Sequence, residues 1–330
     1  MGFENQDLLS LSLSMPVRQA LALASGVLAH AGIDTPDNDA RLLLAEACQV
    51  DLHELSRAVL MGESFAQLAA LGRFSGESSE SALEAELAEQ VALTSFRQFV
   101  ERRAEREPLQ YIVGHAPFRF MSLAVGPGVF IPRPETESVV QDGLDWLAAE
   151  GVERPLVVDL CAGSGAIGLS VATEVKGAQV WAVELSAEAA VWTRRNLERY
   201  RDVIAAAGSS YQLIEADATA PETLRDLDGK VDLVITNPPY VPESQVPTQP
   251  EVVEHDPSLA LYGGSADGLA IPSRIITRVA ALLRPAGHLV LEHDPSQSQA
   301  LQVAARAAGF ATATTSQDLT ARDRYLVASR

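Results

Sequence analysis

From residue 156 onward, short apolar runs alternate with longer amphipathic stretches. The runs Leu156–Leu160, Gln179–Val183, Tyr211–Glu215, Val231–Thr236 and His288–Glu292 read as buried strands. Helical patterns lie between most of them, and that order predicts an α/β fold, a doubly wound and mostly parallel sheet. The first 110 residues differ. Val17, Leu21, Ala24, Val27 and Leu28 recur at helical spacing until Gly32, and Thr35-Pro36 supplies an N-cap and a proline at the first helical position. Leu42, Leu43, Ala47 and Cys48 form the next apolar face, a third helix is expected over Leu52–Met61, and a fourth from about Leu93 to before Pro108. The Gly/Ser/Glu-rich stretch 62–82, with Gly76-Glu-Ser-Ser-Glu-Ser81, reads as a flexible insertion.

Residues 111–135 change character again. Tyr111-Ile-Val-Gly114, Phe118-Arg-Phe120 and Leu123-Ala-Val125 are strand-like pieces separated by Gly and Pro, which suggests a β-hairpin linker. The expected organisation is a smaller all-helical domain at 1–110, a hairpin linker at 111–135 and an α/β domain at 136–330.

Composition narrows the function classes. The net charge of −19 is shared: residues 1–110 carry 17 acidic and 8 basic side chains, a net −9, leaving −10 for the rest. Non-specific nucleic-acid binding rests on cations against phosphates, so no direct nucleic-acid partner is expected. Two distant cysteines, Cys48 and Cys161, with no Cys/His cluster, argue for a reducing compartment and no metal. The start lacks a basic n-region and a secretory apolar core, and no apolar run approaches the roughly 18 residues of a membrane span. A cytoplasmic monomer away from membranes is expected.

The most specific chemistry follows the run Val231–Thr236. Asn237-Pro-Pro-Tyr240 stands at the carboxyl end of that strand, the edge where open α/β sheets bind ligands. The Asn237 side-chain oxygen and the Pro238 carbonyl can accept both hydrogens of a flat NH2 group. Pro238 and Pro239 fix φ and bring no competing N–H, and Tyr240 can lie against the planar carrier of the nitrogen. Alone, such a segment could be a proline-rich turn.

A second motif changes that. Leu156-Val-Val-Asp-Leu160 runs into Cys161-Ala-Gly-Ser-Gly-Ala-Ile-Gly168, a G-x-G-x-x-G loop that by itself would suit NAD or FAD as well. Asp159 precedes the loop, where it could oppose an ammonium or sulfonium cation. Glu184 ends the next strand, placed to take ribose hydroxyls, and Asp217 ends the third, where it could receive an adenine amino group. Carboxylates at three successive strand ends favour a cationic nucleoside, S-adenosylmethionine, over a pyrophosphate.

With these residues assembled, the chain resembles the HemK-type glutamine methyltransferases of peptide-chain release factors. The resemblance runs from about Pro108 to the C-terminus. It rests on Pro108-Leu-Gln-Tyr-Ile-Val-Gly114, Phe130-Ile-Pro-Arg-Pro-Glu-Thr-Glu137, Asp159–Gly168, Asn237–Tyr240 and Asp256-Pro-Ser-Leu-Ala-Leu-Tyr-Gly-Gly264 with Asp267-Gly-Leu269. It implies a Rossmann-like class I methyltransferase domain, with methyl transfer from S-adenosylmethionine to the glutamine of a Gly-Gly-Gln loop of a release factor. The helices of 1–110 fit either a packing domain or partner recognition, and recognition of the protein substrate is the expectation carried forward. The expected cofactor set is Asp159, Cys161, Ala162, Gly163, Ser164, Gly165, Glu184, Asp217, Ala218 and Asn237. Asn237, Pro238 and Tyr240 would carry the chemistry, and Pro239 and Arg133 would join them in binding substrate.

Two departures stand out. Asp256-Pro257 replaces the family's usual Glu-Pro, and the last strand continues as Glu292-His-Asp-Pro295 rather than a Glu-(Ile/Ala)-Gly-like stretch. Both are read as peripheral to the methyl-transfer centre. The competing readings are an N6-adenine methyltransferase acting on a flipped base of DNA or RNA, a binding module without catalysis, and an NAD-dependent oxidoreductase. The last leaves Asn-Pro-Pro-Tyr unexplained.

Overall fold

The computed structural model describes residues 5–73, 82–245 and 248–330. The chain divides into two compact units, Met1–Gly114 and His115–Arg330. The first holds α1 (Val17–His30), α2 (Pro36–Cys48), α3 (Leu52–Met61), α4 (Phe65–Arg73), α5 (Ala82–Ala104) and α6 (Leu109–Val113). Their apolar stripes meet in one core around Leu28, Leu43, Phe65, Leu68 and Phe96. A buried ion pair, Arg103 Nε to Asp39 Oδ2 at 2.8 Å, ties α5 to α2. Asp51 and Glu54 form a reciprocal capping box at the start of α3.

Four expectations for this region are corrected. Pro36 opens α2, but the Thr35 hydroxyl donates to Asp39 Oδ1 at 2.8 Å instead of capping the helix backbone. Residues 62–73 are not part of a flexible insertion. Gly62 is the left-handed cap of α3, and Phe65 and Leu68 bury themselves within α4. The surrounding Gly/Ser/Glu composition masked that short apolar pattern, and Gly76–Ser81 lies outside the described residues. The helix expected from about Leu93 already runs from Ala82. Tyr111-Ile-Val is a helical turn closed by Gly114 at φ 78°, not a strand.

The second unit starts with an antiparallel hairpin, β1 (His115–Phe118) and β2 (Met121–Ala124), followed by α7 (Pro134–Glu150). Then come β3 (Leu156–Leu160), α8 (Ala166–Glu174), β4 (Gln179–Glu184), α9 (Ala187–Ala206), β5 (Ser210–Glu215) and β6 (Val231–Thr236). The chain ends with α10 (Pro250–His255), α11 (Ser258–Leu261), α12 (Ala270–Leu282), β7 (Leu283–Glu292), α13 (Ser298–Ala307), β8 (Thr312–Gln317) and β9 (Asp323–Ser329). The sheet order is β5-β4-β3-β6-β7-β9-β8. The strands from β5 to β7 pair in parallel, and β9 runs antiparallel to both β7 and β8. The mostly parallel, doubly wound sheet is as expected; the antiparallel pair β8 and β9 was not predicted. One apolar core lies around Leu169, Val180 and Leu233, the other around Leu160, Ile275 and Leu289.

The hairpin belongs to this unit rather than forming a separate linker. Tyr200 Oη accepts from Ser122 N at 2.8 Å, and Asn196 Oδ1 accepts from Ala124 N at 2.7 Å while its Nδ2 donates back to Ala124 O at 3.0 Å. Arg119, at the tip, donates to Glu174 at 2.7 Å. Among the described residues no helix is long and apolar enough to cross a membrane.

Candidate active site

The strand order reverses between β3 and β6, which pair with Leu160 opposite Thr236. Cys161 and Asn237 therefore leave the sheet from neighbouring strand ends, at the topological switch point where such sheets form a crevice. A cavity of about 350 Å³ opens there.

One wall is the loop after β3. Cys161, Ala162, Gly163 and Ser164 line the cavity, while Gly165 opens α8 behind them at φ 86°. Burial pushes the Cys161 thiol well above its ordinary range, which fits a packing residue and not a nucleophile. Helix α9 secures the loop: Thr193 Oγ1 donates to Gly163 O at 2.6 Å and Asn196 Nδ2 to Ser164 O at 2.9 Å.

The three strand-end carboxylates are not equivalent. Glu184 lines the cavity, with Oε2 accepting from Gly163 N at 2.7 Å and Oε1 from Ser186 N at 2.8 Å. Each oxygen keeps a lone pair for a further donor. Asp217 and Ala218 also line it. Partial burial alone would raise the Asp217 carboxyl, but hydrogen bonds from Thr219 Oγ1 and N hold it below the usual carboxylate range. Asp159 departs from expectation. It is fully buried and absent from the cavity wall, so it does not face a cofactor cation. Its Oδ2 accepts from Gly168 N at 2.8 Å, bracing the loop from behind, and its Oδ1 has no partner among the described residues. A Cβ at position 168 would stand 3.0 Å from that carboxylate and 2.9 Å from the Tyr211 ring, hence glycine. Burial pushes the Asp159 carboxyl up to about 8.

Asn237, Pro239 and Tyr240 line the opposite side, and Pro238 is buried outside the lining. Asn237 Nδ2 donates to Thr136 Oγ1 at 3.3 Å, whereas its Oδ1 takes no hydrogen bond among the described residues. Thr136 Oγ1 donates in turn to Glu292 Oε2 at 2.7 Å, and Tyr240 Oη donates to Glu292 Oε1 at 3.1 Å. The motif's exit is fixed by the backbone: Val241 N donates to Leu261 O at 2.8 Å and Gly263 N to Val241 O at 3.0 Å.

Phe130, Pro132, Pro257 and Leu261 complete an apolar rim. Arg133 is not in it, contrary to its expected substrate contact. Its Nη2 donates to Asp256 Oδ2 at 2.6 Å, and its guanidinium lies 4.9 Å from the centre of the Phe130 ring. Arg133 therefore joins two segments of the rim from outside. The stretch from the end of β7 onward is not peripheral either. Glu292 holds two residues of the site, and Gln297 Nε2 donates to Tyr240 O at 2.8 Å. Sequence reasoning missed Thr136, Thr193, Asn196, Glu292 and Gln297. The one signal available for Thr193 and Asn196 was their i, i+3 spacing, which puts two polar residues on one face of a helix.

These carboxylates fit S-adenosylmethionine. Glu184 and Asp217 stand in the wall against a single guanidinium among the described residues, that of Arg274, and Glu184 retains acceptor capacity for hydroxyls.

Known proteins bear on the site. A family model described as conserved hypothetical protein 95 matches residues 112–264, and the PrmC N-terminal domain model matches 19–63 and 79–114. The release factor glutamine methyltransferase of Bifidobacterium longum (strain NCC 2705) is 56% identical over 314 residues, covering 95% of this chain and 99% of that protein. The protein of the same name from Mycolicibacterium smegmatis is 39% identical over 316 residues, 95% of this chain and 98% of that one. A 4-amino-L-phenylalanine/4-methylamino-L-phenylalanine methyltransferase of Streptomyces pristinaespiralis is 38% identical over 296 residues, 88% of this chain and 87% of that one.

Proposed function

The chain belongs to the release factor glutamine methyltransferase family, and we propose that its site transfers a methyl group from S-adenosylmethionine to the side-chain amide nitrogen of a glutamine in a release factor's Gly-Gly-Gln loop. The observation that carries this reading is Asn237. Its NH2 is engaged by Thr136, and its oxygen has no donor among the described residues in a cavity that Asn237 lines. An acceptor so placed suits an incoming NH2 group.

An amide nitrogen is a weak nucleophile because its lone pair is shared with the carbonyl, the resonance behind the rotation barrier of roughly 18–20 kcal/mol. Asn237 Oδ1 and the Pro238 carbonyl would accept its two hydrogens and hold the nitrogen in one orientation. Their dipoles would favour the positive charge that grows on nitrogen. Orientation of this kind can contribute on the order of 7–11 kcal/mol. Tyr240 and the apolar rim would bracket the planar amide. S-adenosylmethionine supplies an electrophilic methyl on a sulfonium. Glu184 would hold its ribose, Asp217 its adenine, and the loop Cys161–Gly165 would enclose the remainder. The methylated nitrogen would then give up one proton, for which water is an available acceptor. Residues 1–110 would recognise the release factor, their net charge of −9 suiting a basic partner.

The adenine reading would use the same acceptors, but it explains neither the acidic charge nor the relatives' names. The test is incubation with labelled S-adenosylmethionine and cognate release factors, followed by peptide mass mapping. A methyl group on the Gly-Gly-Gln glutamine is expected. Label in DNA or RNA and none in the release factor would overturn the reading.

A further inference from the structure

Asparagine has a weakness as an acceptor. Its oxygen and NH2 are nearly the same size, so a half-turn of the amide would present two donors to a substrate that itself donates. Something must set its polarity, and that group lies outside the four-residue motif. We propose that Glu292 and Thr136 are positioning residues, a carboxylate–hydroxyl relay that turns the Asn237 carbonyl oxygen toward the substrate. The proposal rests on the methyl-transfer reading and assigns it Thr136 in the cavity wall and Glu292 behind it.

The argument is one of donor and acceptor counting. Glu292 and Thr136 are both buried, with 2% and 4% of their surfaces exposed. An ionised carboxylate only accepts. The single hydroxyl hydrogen of Thr136 is committed to Glu292 Oε2 at 2.7 Å. Toward Asn237, 3.3 Å away, Thr136 Oγ1 can then only accept, and that selects the amide NH2 as its neighbour. The oxygen of Asn237 must face the other way. The other carboxylate oxygen accepts from Tyr240 Oη at 3.1 Å, so one group fixes both polar side chains of the motif. The three segments are far apart in the chain. Thr136 is in the first turn of α7, Asn237 follows β6, and Glu292 ends β7. Replacing the carboxylate by a carboxamide of the same shape would break the logic. A Gln NH2 could donate to Thr136, freeing that hydroxyl to donate to Asn237 Oδ1 and reverse the amide.

The relay is tested with full-length Glu292→Gln, Thr136→Val and Thr136→Ser. In the release factor assay, Glu292→Gln and Thr136→Val should lower kcat by roughly 10–100-fold, the scale for a lost orienting partner. S-adenosylmethionine binding by calorimetry should be unchanged, and Thr136→Ser, which keeps the hydroxyl, should stay close to the parent. In parallel, the 15N-labelled side-chain amide resonance of Asn237, assigned by its loss in Asn237→Ala, should move in Glu292→Gln and Thr136→Val and stay in Thr136→Ser. An unmoved resonance in folded Glu292→Gln, unchanged kcat there, or equal damage from Val and Ser would overturn the relay. The resonance needs no substrate. If the parent methylates no release factor, the functional reading falls while the relay is still decided.

Discussion

Gly268 lies so close to Tyr240 that a Cβ on it would stand 2.1 Å from the Tyr240 carbonyl oxygen, and its φ is +72°. Gln297 spans the same junction, its Nε2 donating to Tyr240 O at 2.8 Å and to Asp267 O at 2.9 Å. The Asp267-Gly-Leu269 turn is thus locked to the backbone of Asn237-Pro-Pro-Tyr240.

Gly268→Ala should damage this lock twice, through the overlap and through the left-handed backbone, which costs a residue with a side chain about 1–3 kcal/mol. Turnover should fall sharply and the melting temperature should drop, with cofactor affinity less affected because Gly268 is not in the cavity wall. A variant with the parent's kcat would show that the lock has no bearing on the chemistry.

Asn237→Ala should leave S-adenosylmethionine binding largely intact and slow methyl transfer by roughly 10²–10³, the usual cost of one preorganised contact to developing charge. Rapid-quench turnover and calorimetric titration separate the two effects. Near-normal turnover would remove Asn237 from the reaction.

Much of this was legible in the sequence because it is local. The five parallel strands are short apolar runs, and the loops that follow β3 and β6 carry chemistry in consecutive residues. What was hidden is non-local. Asp159 looked like a cofactor contact because sequence gives a strand-end carboxylate no direction, and its burial beneath Gly168 depends on packing. Arg133 read as a substrate contact until Asp256, 123 residues away, took its guanidinium. Glu292 and Thr136 are 156 residues apart, and no pattern within either segment announces the bond. Strand β8 escaped because Thr312–Gln317 lacks the apolar run that marked the parallel strands, whereas β9 carries one, Tyr325-Leu-Val-Ala328, that was legible and passed over.

Glu184→Ala should weaken S-adenosylmethionine binding more than it changes kcat. Charge-assisted hydrogen bonds contribute about 1.5–3 kcal/mol each, so Kd should rise on the order of tenfold or more. The free protein should also lose stability, because Gly163 N and Ser186 N both donate to this carboxylate. Calorimetry showing an unaltered Kd would exclude Glu184 from the ribose site.

Arg133→Ala should destabilise more than its own lost contacts suggest. It strands Asp256, whose side chain is 1% exposed and whose Oδ1 already has no partner among the described residues. Removing the half-exposed partner of a buried carboxylate leaves its charge uncompensated. The double variant Arg133→Ala/Asp256→Asn should therefore be more stable than Arg133→Ala alone in urea unfolding. A double variant that is less stable would place the cost in the Arg133–Phe130 packing instead.

Asp159 should make stability depend on pH in the direction opposite to a salt-bridged carboxylate. Burial raises its carboxyl from the ordinary 3.8 to about 8, opposed by the Gly168 N–H and reinforced by the charge of Glu184. The folded protein thus holds this proton to higher pH than the unfolded chain does. The resulting stabilisation is complete below the unfolded value and is lost as pH rises through the folded one. Asp159→Asn keeps an acceptor for Gly168 N but has nothing to titrate. Comparing the two proteins cancels groups common to both, including Glu292, which burial pushes up to about 6. The melting temperature of the parent, measured relative to Asp159→Asn without cofactor, should decline steadily from pH 4 to pH 8 and then level off. A difference that stays flat across that window would mean that Asp159 is already ionised in the folded protein, and that its second oxygen has a donor.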